Sequence, residues 1–112
     1  MIHLVAVTAC VSGVAHTYMA AERLEKLCHH EKWSVKIETQ GALGAENVLS
    51  QADIAGADVA LLITDIEING IERFSEIRTV KSSIRLFLLE PQKVLDEVRY
   101  IMEKPVVHIS MR

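Results

Sequence analysis

One segment near the start of the chain constrains the fold more than any other feature. Leu4-Val5-Ala6-Val7-Thr8-Ala9 is nearly unbroken apolar sequence. It lacks the alternation of a strand with one face in water, so it reads as a strand buried on both faces, as in parallel α/β sheets. A helical pattern follows within a few residues. Over residues 15–30, Tyr18, Ala21, Leu24 and Cys28 recur on one face, with Ala20 and Leu27 beside them. Glu22 and Lys26 make an i,i+4 pair on the polar side.

The alternation continues. Residues 34–39 form a second strand, in which Val35, Ile37 and Thr39 alternate with Lys36 and Glu38. Gly41-Ala42-Leu43-Gly44 breaks the pattern. Ser50 with Asp53 three residues on predicts a capping box opening a second helix, which Asp58 closes. Residues 59–63 are another buried strand. A short helix at 71–74, an edge strand at 77–80 and a short helix at 82–89 follow. Pro91 opens the last helix, whose stripe is Val94, Leu95, Val98, Ile101 and Met102, and Pro105 ends it. Residues 105–112 are left without an assigned partner. The expected fold is a three-layer αβα sandwich of the Rossmann-like or flavodoxin-like kind. Its sheet is mainly parallel and four-stranded, with right-handed crossovers, and it forms one domain over 1–112.

Composition narrows the function. The formal net charge is −3 and aromatics are 4% of residues, with no Lys/Arg block. Nucleic acid is therefore a poor partner, since neither a basic footprint nor a stacking platform is present. The start lacks a signal-peptide pattern and no apolar run spans a bilayer, so direct membrane insertion is not expected. Two cysteines, Cys10 and Cys28, make no disulfide framework, and the chain reads as cytosolic with both thiols reduced.

The chemistry concentrates where the first strand ends. Cys10 is followed by Val11, Ser12, Gly13, Val14, Ala15, His16 and Thr17, and a helix begins within that run. Amides converging at a helix start lower a thiol's pKa, and the same amides hold a phosphate dianion without a basic side chain. No proline interrupts Val11 to Thr17, and Ser12 and Thr17 add hydroxyl donors. Carboxyl ends of parallel strands are also where ligands of such sheets bind. Cys10 as a buried core cysteine is the competing reading. The spacing is that of a low-molecular-weight phosphatase loop, a cysteine, five residues, then arginine and a hydroxyl residue. Here His16 stands in the arginine's place, which weakens hydrolysis and leaves amide cradling intact.

The run Ala9-Cys10-x-Ser12-Gly13-Val14-Ala15-His16-Thr17-Tyr18-Met19-Ala20-Ala21-Glu22 closely resembles the fructose-type IIB (EIIB) component of the bacterial phosphoenolpyruvate-dependent sugar phosphotransferase system. Glu38-Thr39-Gln40-Gly41, Gly44, Glu46-Asn47 and Ala57-Asp58-Val59 match as well; Asp65-Ile66 and Glu72-Arg73-Phe74 match more loosely. The segment after Thr79 diverges, and Val11 stands where the family usually has proline. The resemblance implies that Cys10 takes a phosphoryl group from a phosphohistidine of a fructose-type IIA (EIIA). It implies that residues 11–17 cradle the group and that it passes to a sugar in a membrane-embedded IIC (EIIC) permease. It implies a cytoplasmic protein held at the inner membrane through IIC, with no cofactor and no metal. Tyr18, Met19, Glu38, Gln40 and Asp65 are candidates for the rim or for partner contact. Competing functions are a catalytically impaired, partner-binding paralogue and a phosphatase or arsenate-reductase-like thiol enzyme. Cys28 is expected in the core, and Trp33 as a packing anchor. His29-His30 sit at a helix C-terminus, where imidazolium suits the dipole.

Overall fold

The apolar run forms strand β1 (His3–Ala9), and every residue from Leu4 to Ala9 is buried. The computed structural model of the protein describes residues 2–10, 14–41 and 44–111. The elements that follow β1 are α1 (Val14–Glu31), β2 (Ser34–Gly41), β3 (Gly44–Glu46), α2 (Gln51–Ala55) and β4 (Val59–Thr64). Then come a 3-10 helix (Ile71–Phe74), β5 (Arg78–Ser82), α3 (Ile84–Leu89), α4 (Pro91–Ile101) and β6 (His108–Ser110). They build one sheet in the order β3-β2-β1-β4-β5-β6, parallel except for β3, which runs antiparallel to β2.

Two cores flank this sheet because successive strand residues point to opposite faces. Leu4, Ala6, Leu61, Ile63 and Val80 pack with Ala20, Leu24 and Cys28 of α1, Phe87 of α3, and Val94, Leu95, Val98 and Ile101 of α4. Val5, Val7, Ala9, Ala60 and Leu62 pack on the other face with Leu49, Ile54, Ile68 and Phe74. Each fully buried Val, Leu, Ile or Phe side chain among them contributes about 1.5–3 kcal/mol. The three-layer α/β sandwich expected from the sequence is therefore present.

Local signals explain several boundaries. The Ser50 hydroxyl accepts from the Asp53 N–H at 3.0 Å, and the Asp53 carboxylate accepts from the Ser50 N–H at 3.0 Å, closing the capping box. Pro91 occupies the first turn of α4, where its missing N–H costs nothing. Glu22 and Lys26 form the expected exposed pair at 3.1 Å.

Other expectations need correction. The sheet has six strands, not four. Residues 105–112 supply β6, which pairs parallel with β5, so β5 is interior and not an edge. The break after β2 leads to β3, which pairs antiparallel with β2; Ala42 and Leu43 lie outside the described residues. Helix α2 stops at Ala55 with Gly56 as its cap. Asp58 instead accepts from the His3 N–H at 2.9 Å and fixes the start of β1. Helix α4 stops at Ile101, four residues before Pro105. The fully buried stripe of α1 is Thr17, Ala20, Leu24 and Cys28, with Tyr18 and Ala21 on its flank. Finally, α1 and the α3–α4 pair share one face, yet β1→β2 and β5→β6 step in opposite directions across the sheet. The last crossover therefore has the opposite hand to the first, against the right-handed rule. It closes onto a three-residue strand through the non-helical segment 102–107.

Candidate active site

Strand order reverses at β1, since β2 lies on one side of it and β4 on the other. Cys10 follows the last residue of that strand, at the switch point where open α/β sheets bind ligands. It is half-buried against the core under α1, on the same face as Leu4, Ala6 and Thr8. Helix α1 begins four residues later at Val14, which aims its N-terminal end at the strand end. Val11, Ser12 and Gly13, and the side chain of Val14, lie outside the described residues. Ala15 and His16 are exposed on the first turn, and Thr17 is buried.

The hydroxyls of Thr8, Thr17 and Thr39 are buried and without a hydrogen-bond partner among the described residues. Thr8 and Thr39 are register partners on β1 and β2, on the face that carries Cys10 and α1. An unpaired buried hydroxyl costs about 1–3 kcal/mol, so this end of the core holds unused donor capacity beside the thiol.

The opposite face of the strand end is closed by a hydrogen-bonded bracket. Glu38 is 1% exposed and takes a two-pronged contact from Arg73 at 2.8 and 3.0 Å. It also accepts from the Leu49 N–H at 2.9 Å and from Gln40 Nε2 at 2.7 Å. Burial alone pushes this carboxyl's pKa up, but the Arg73, Gln40 and Leu49 donors outweigh it and hold the group below its ordinary value. Gln40 is linked in both directions to Asn69, donating to its carbonyl at 3.0 Å and accepting from its N–H at 2.9 Å. Gln40 lies one residue before the end of β2 as the register partner of Ala9, and Asn69 follows β4, so the link straddles the end of β1. Arg73 is the residue that reading the sequence missed. It lies 35 positions from Glu38, and only the loose Glu72-Arg73-Phe74 motif marked it.

The remaining rim candidates fall elsewhere. The Asp65 N–H donates to the Ala9 carbonyl at 3.3 Å, beside Cys10, and its carboxylate accepts from the Ile84 N–H at 3.2 Å at the start of α3. Asp65 and His16 line one cavity of about 450 Å³ with Ile84, Arg85, Leu88 and Leu89. Met19 is 47% exposed on α1. The Tyr18 hydroxyl donates to the Glu46 carboxylate and ties α1 to β3. Far from the loop, Cys28 is fully buried, as expected, and its thiol is pushed up to about 12 by burial and by Glu31. Trp33 packs at the core margin with the Arg99 guanidinium over its ring at 5.1 Å.

A strand-end thiol at the switch point of such a sheet, beside a helix start, suits phosphoryl or thiol chemistry on a flavodoxin-like frame. Residues 5–97 match the family model described as "PTS system, Lactose/Cellobiose specific IIB subunit". The chain is 68% identical over 105 residues to "PTS system fructose-like EIIB component 3" of Escherichia coli K12, covering 94% of this chain and 93% of that protein. It is 37% identical over 95 residues to the "PTS system fructose-specific EIIB'BC component" of Rhodobacter capsulatus, covering 85% of this chain and 16% of that protein. The crystal structure titled "Predicted Fructose Specific IIB from Escherichia Coli" superposes with a TM-score of 0.97 at 64% identity, covering 100% of both chains. The chain belongs to the IIB subunits of the sugar phosphotransferase system. It is a fructose-like IIB component, a subunit of a phosphotransferase.

Proposed function

We propose that Cys10 is the phosphoryl way-station of this subunit. The thiolate attacks the phosphorus of a phosphohistidine on a fructose-type IIA partner. The N–P bond breaks, its electron pair returns to the imidazole, and an S–P bond forms. The proton lost by the thiol balances the one gained by the imidazole. In the second step a sugar hydroxyl attacks phosphorus, the S–P bond breaks and the thiol regains a proton. The sugar is fructose or a fructose-like sugar held in a membrane IIC partner.

The observation that carries this reading is the position of Cys10 at the carboxyl end of the central strand, facing the start of α1. Transfers of this kind rest on positioning and charge stabilisation. The amides of Val11 to Thr17 cradle the dianion, Ser12 and Thr17 hydroxyls donate to it, and exposed His16 donates to its oxygens or to the sulfur. The Thr17 hydroxyl, buried and without a partner among the described residues, supports this, because a phosphoryl oxygen satisfies it. Tyr18, Met19, Glu38, Gln40 and Asp65 shape the rim. Residues 1–112 act as one IIB domain, in the cytoplasm and at the inner membrane through IIC. The name EIIB'BC, which joins B and C parts, supports the permease partnership. No helix among the described residues is long and apolar enough to cross a membrane.

The test is to incubate the protein with phosphoenolpyruvate, the two general phosphotransfer proteins and a fructose-type IIA. An acid-stable, iodine-labile adduct lost in Cys10→Ser is expected. No adduct with any fructose-type IIA contradicts the carrier and favours a partner-binding paralogue. Rapid release of inorganic phosphate favours a phosphatase.

A further inference from the structure

On the α1 face, joined to the end of β1 through Asp65, the molecule presents a surface that the contacts among the described residues leave unused. His16 and Met19 lie three residues apart on one side of α1, and Arg85, Leu88 and Leu89 project from α3. His16, Arg85, Leu88 and Leu89 line the cavity of about 450 Å³ together with Asp65 and Ile84. Two large apolar side chains here are open to solvent, Met19 at 47% and Leu89 at 68%. Arg85 is exposed and enters no ion pair or side-chain hydrogen bond among the described residues. Arg23, one turn beyond Met19, reaches the Leu88 carbonyl at 3.5 Å and adds a second guanidinium to the same side.

The charges are not symmetric. Asp65 is the acidic group on the cavity, and its carboxylate is engaged by the Ile84 N–H, which fixes where α3 starts. Arg85 is the next residue, so its backbone is held while its guanidinium is free. The loop after Cys10 carries histidine at the position where a phosphatase loop carries arginine. A guanidinium offers the planar, two-pronged donor set that suits a phosphoryl group, and imidazole does not. Exposed apolar residues beside unpaired arginines are also the composition of a protein interface.

We propose that the α1–α3 face, centred on Arg85 and bordered by Met19, Leu88 and Leu89, is the docking surface for the phosphohistidine-bearing donor protein. Arg85 is there a positioning residue for the incoming phosphoryl group. The inference rests on the carrier reading above. It commits to the donor because that protein arrives bearing a dianion, to which Arg85, a cation with no ion pair among the described residues and on the cavity shared with Asp65, is complementary. The permease arrives with a neutral sugar. The face reaches the end of β1 through Asp65, which lines the cavity and whose N–H donates to the Ala9 carbonyl at 3.3 Å, so a donor seated on it brings its phosphorus toward Cys10.

The test is the rate of charging of the full chain by phosphorylated IIA across donor concentration and salt. Arg85→Ala is expected to raise the donor KM at least tenfold and to flatten the salt dependence, with Arg85→Lys recovering part of the loss. Leu89→Glu is expected to raise KM through the apolar contact. Lys104→Ala, outside this face, is expected to charge as the wild type does. Arg85 and Leu89 are exposed, so unchanged circular dichroism and urea midpoints separate these effects from misfolding. Charging within twofold of wild type in both Arg85→Ala and Leu89→Glu overturns the docking surface while Cys10 still labels. A loss confined to sugar-dependent discharge, with charging intact, assigns the face to the permease and overturns the proposal. Absence of charging in the wild type is the distinct failure of the carrier reading itself.

Discussion

The two walls beside the end of β1 are built by opposite strategies. On the α2 face, Glu38, Gln40, Asn69 and Arg73 satisfy one another through short hydrogen bonds. On the α1 face, His16, Met19, Arg85 and Leu89 are exposed. The first wall is a scaffold that holds β2 and the segment after β4 across the strand end. The second is unfinished, and a partner completes it. A carrier needs both, because the thiol must be fixed in place yet reachable from outside by two successive partners.

This contrast predicts a dissociation between stability and transfer. Arg73→Ala leaves the Glu38 carboxylate buried without its counter-charge and should cost about 3 kcal/mol, as breaking buried pairs does. The urea midpoint should fall markedly, whereas Arg85→Ala on the open wall should leave it unchanged. An Arg73→Ala protein as stable as the wild type removes the scaffold half of the comparison.

Acid provides a gentler probe of the same wall. The Glu38 carboxyl titrates below its ordinary value of 4.5 in the folded state. The unfolded chain therefore binds its proton first as the pH falls, and the folded state loses stability through and below that range. The contribution is fully present above the ordinary value and is lost as the pH drops through the folded pKa. Glu38→Gln should be less stable than the wild type at neutral pH, and the gap should narrow in acid. Denaturant melts between neutral pH and pH 3 give the two slopes, and parallel slopes contradict the assignment.

The buried threonines sharpen the comparison at the smallest scale. Thr39→Val removes a buried hydroxyl that has no partner among the described residues and should raise stability by about 1–3 kcal/mol. Thr17→Val should likewise cost no stability yet slow phosphoryl transfer about tenfold, the loss of one charge-assisted hydrogen bond. Equal labelling rates for the two variants place the Thr17 hydroxyl outside the phosphate cradle.

Much of the frame was legible because its signals are local. The apolar run of β1, the Ser50–Asp53 box and Pro91 each announce themselves within a few residues. Strands β3 and β6 did not, since three residues carry no readable period and their pairing depends on distant neighbours. The stripe of α1 was displaced toward Tyr18 because that residue looks apolar in sequence, while its hydroxyl is spent on Glu46. The thiol's place was readable from strand, loop and helix in succession. The Glu38–Arg73 pair and Arg85 were not, because topology, not spacing, brings them to the strand end.

The central claim is that phosphate resides on the Cys10 sulfur between donor and sugar. Its most direct test is to charge the protein with phosphorylated IIA, quench at neutral pH and map the modified residue by peptide mass spectrometry. Phosphate on the peptide's Cys10, and none on Cys28, whose thiol burial holds up at about 12, is the predicted result. Phosphate on His16 or another histidine, with Cys10 unmodified, contradicts it.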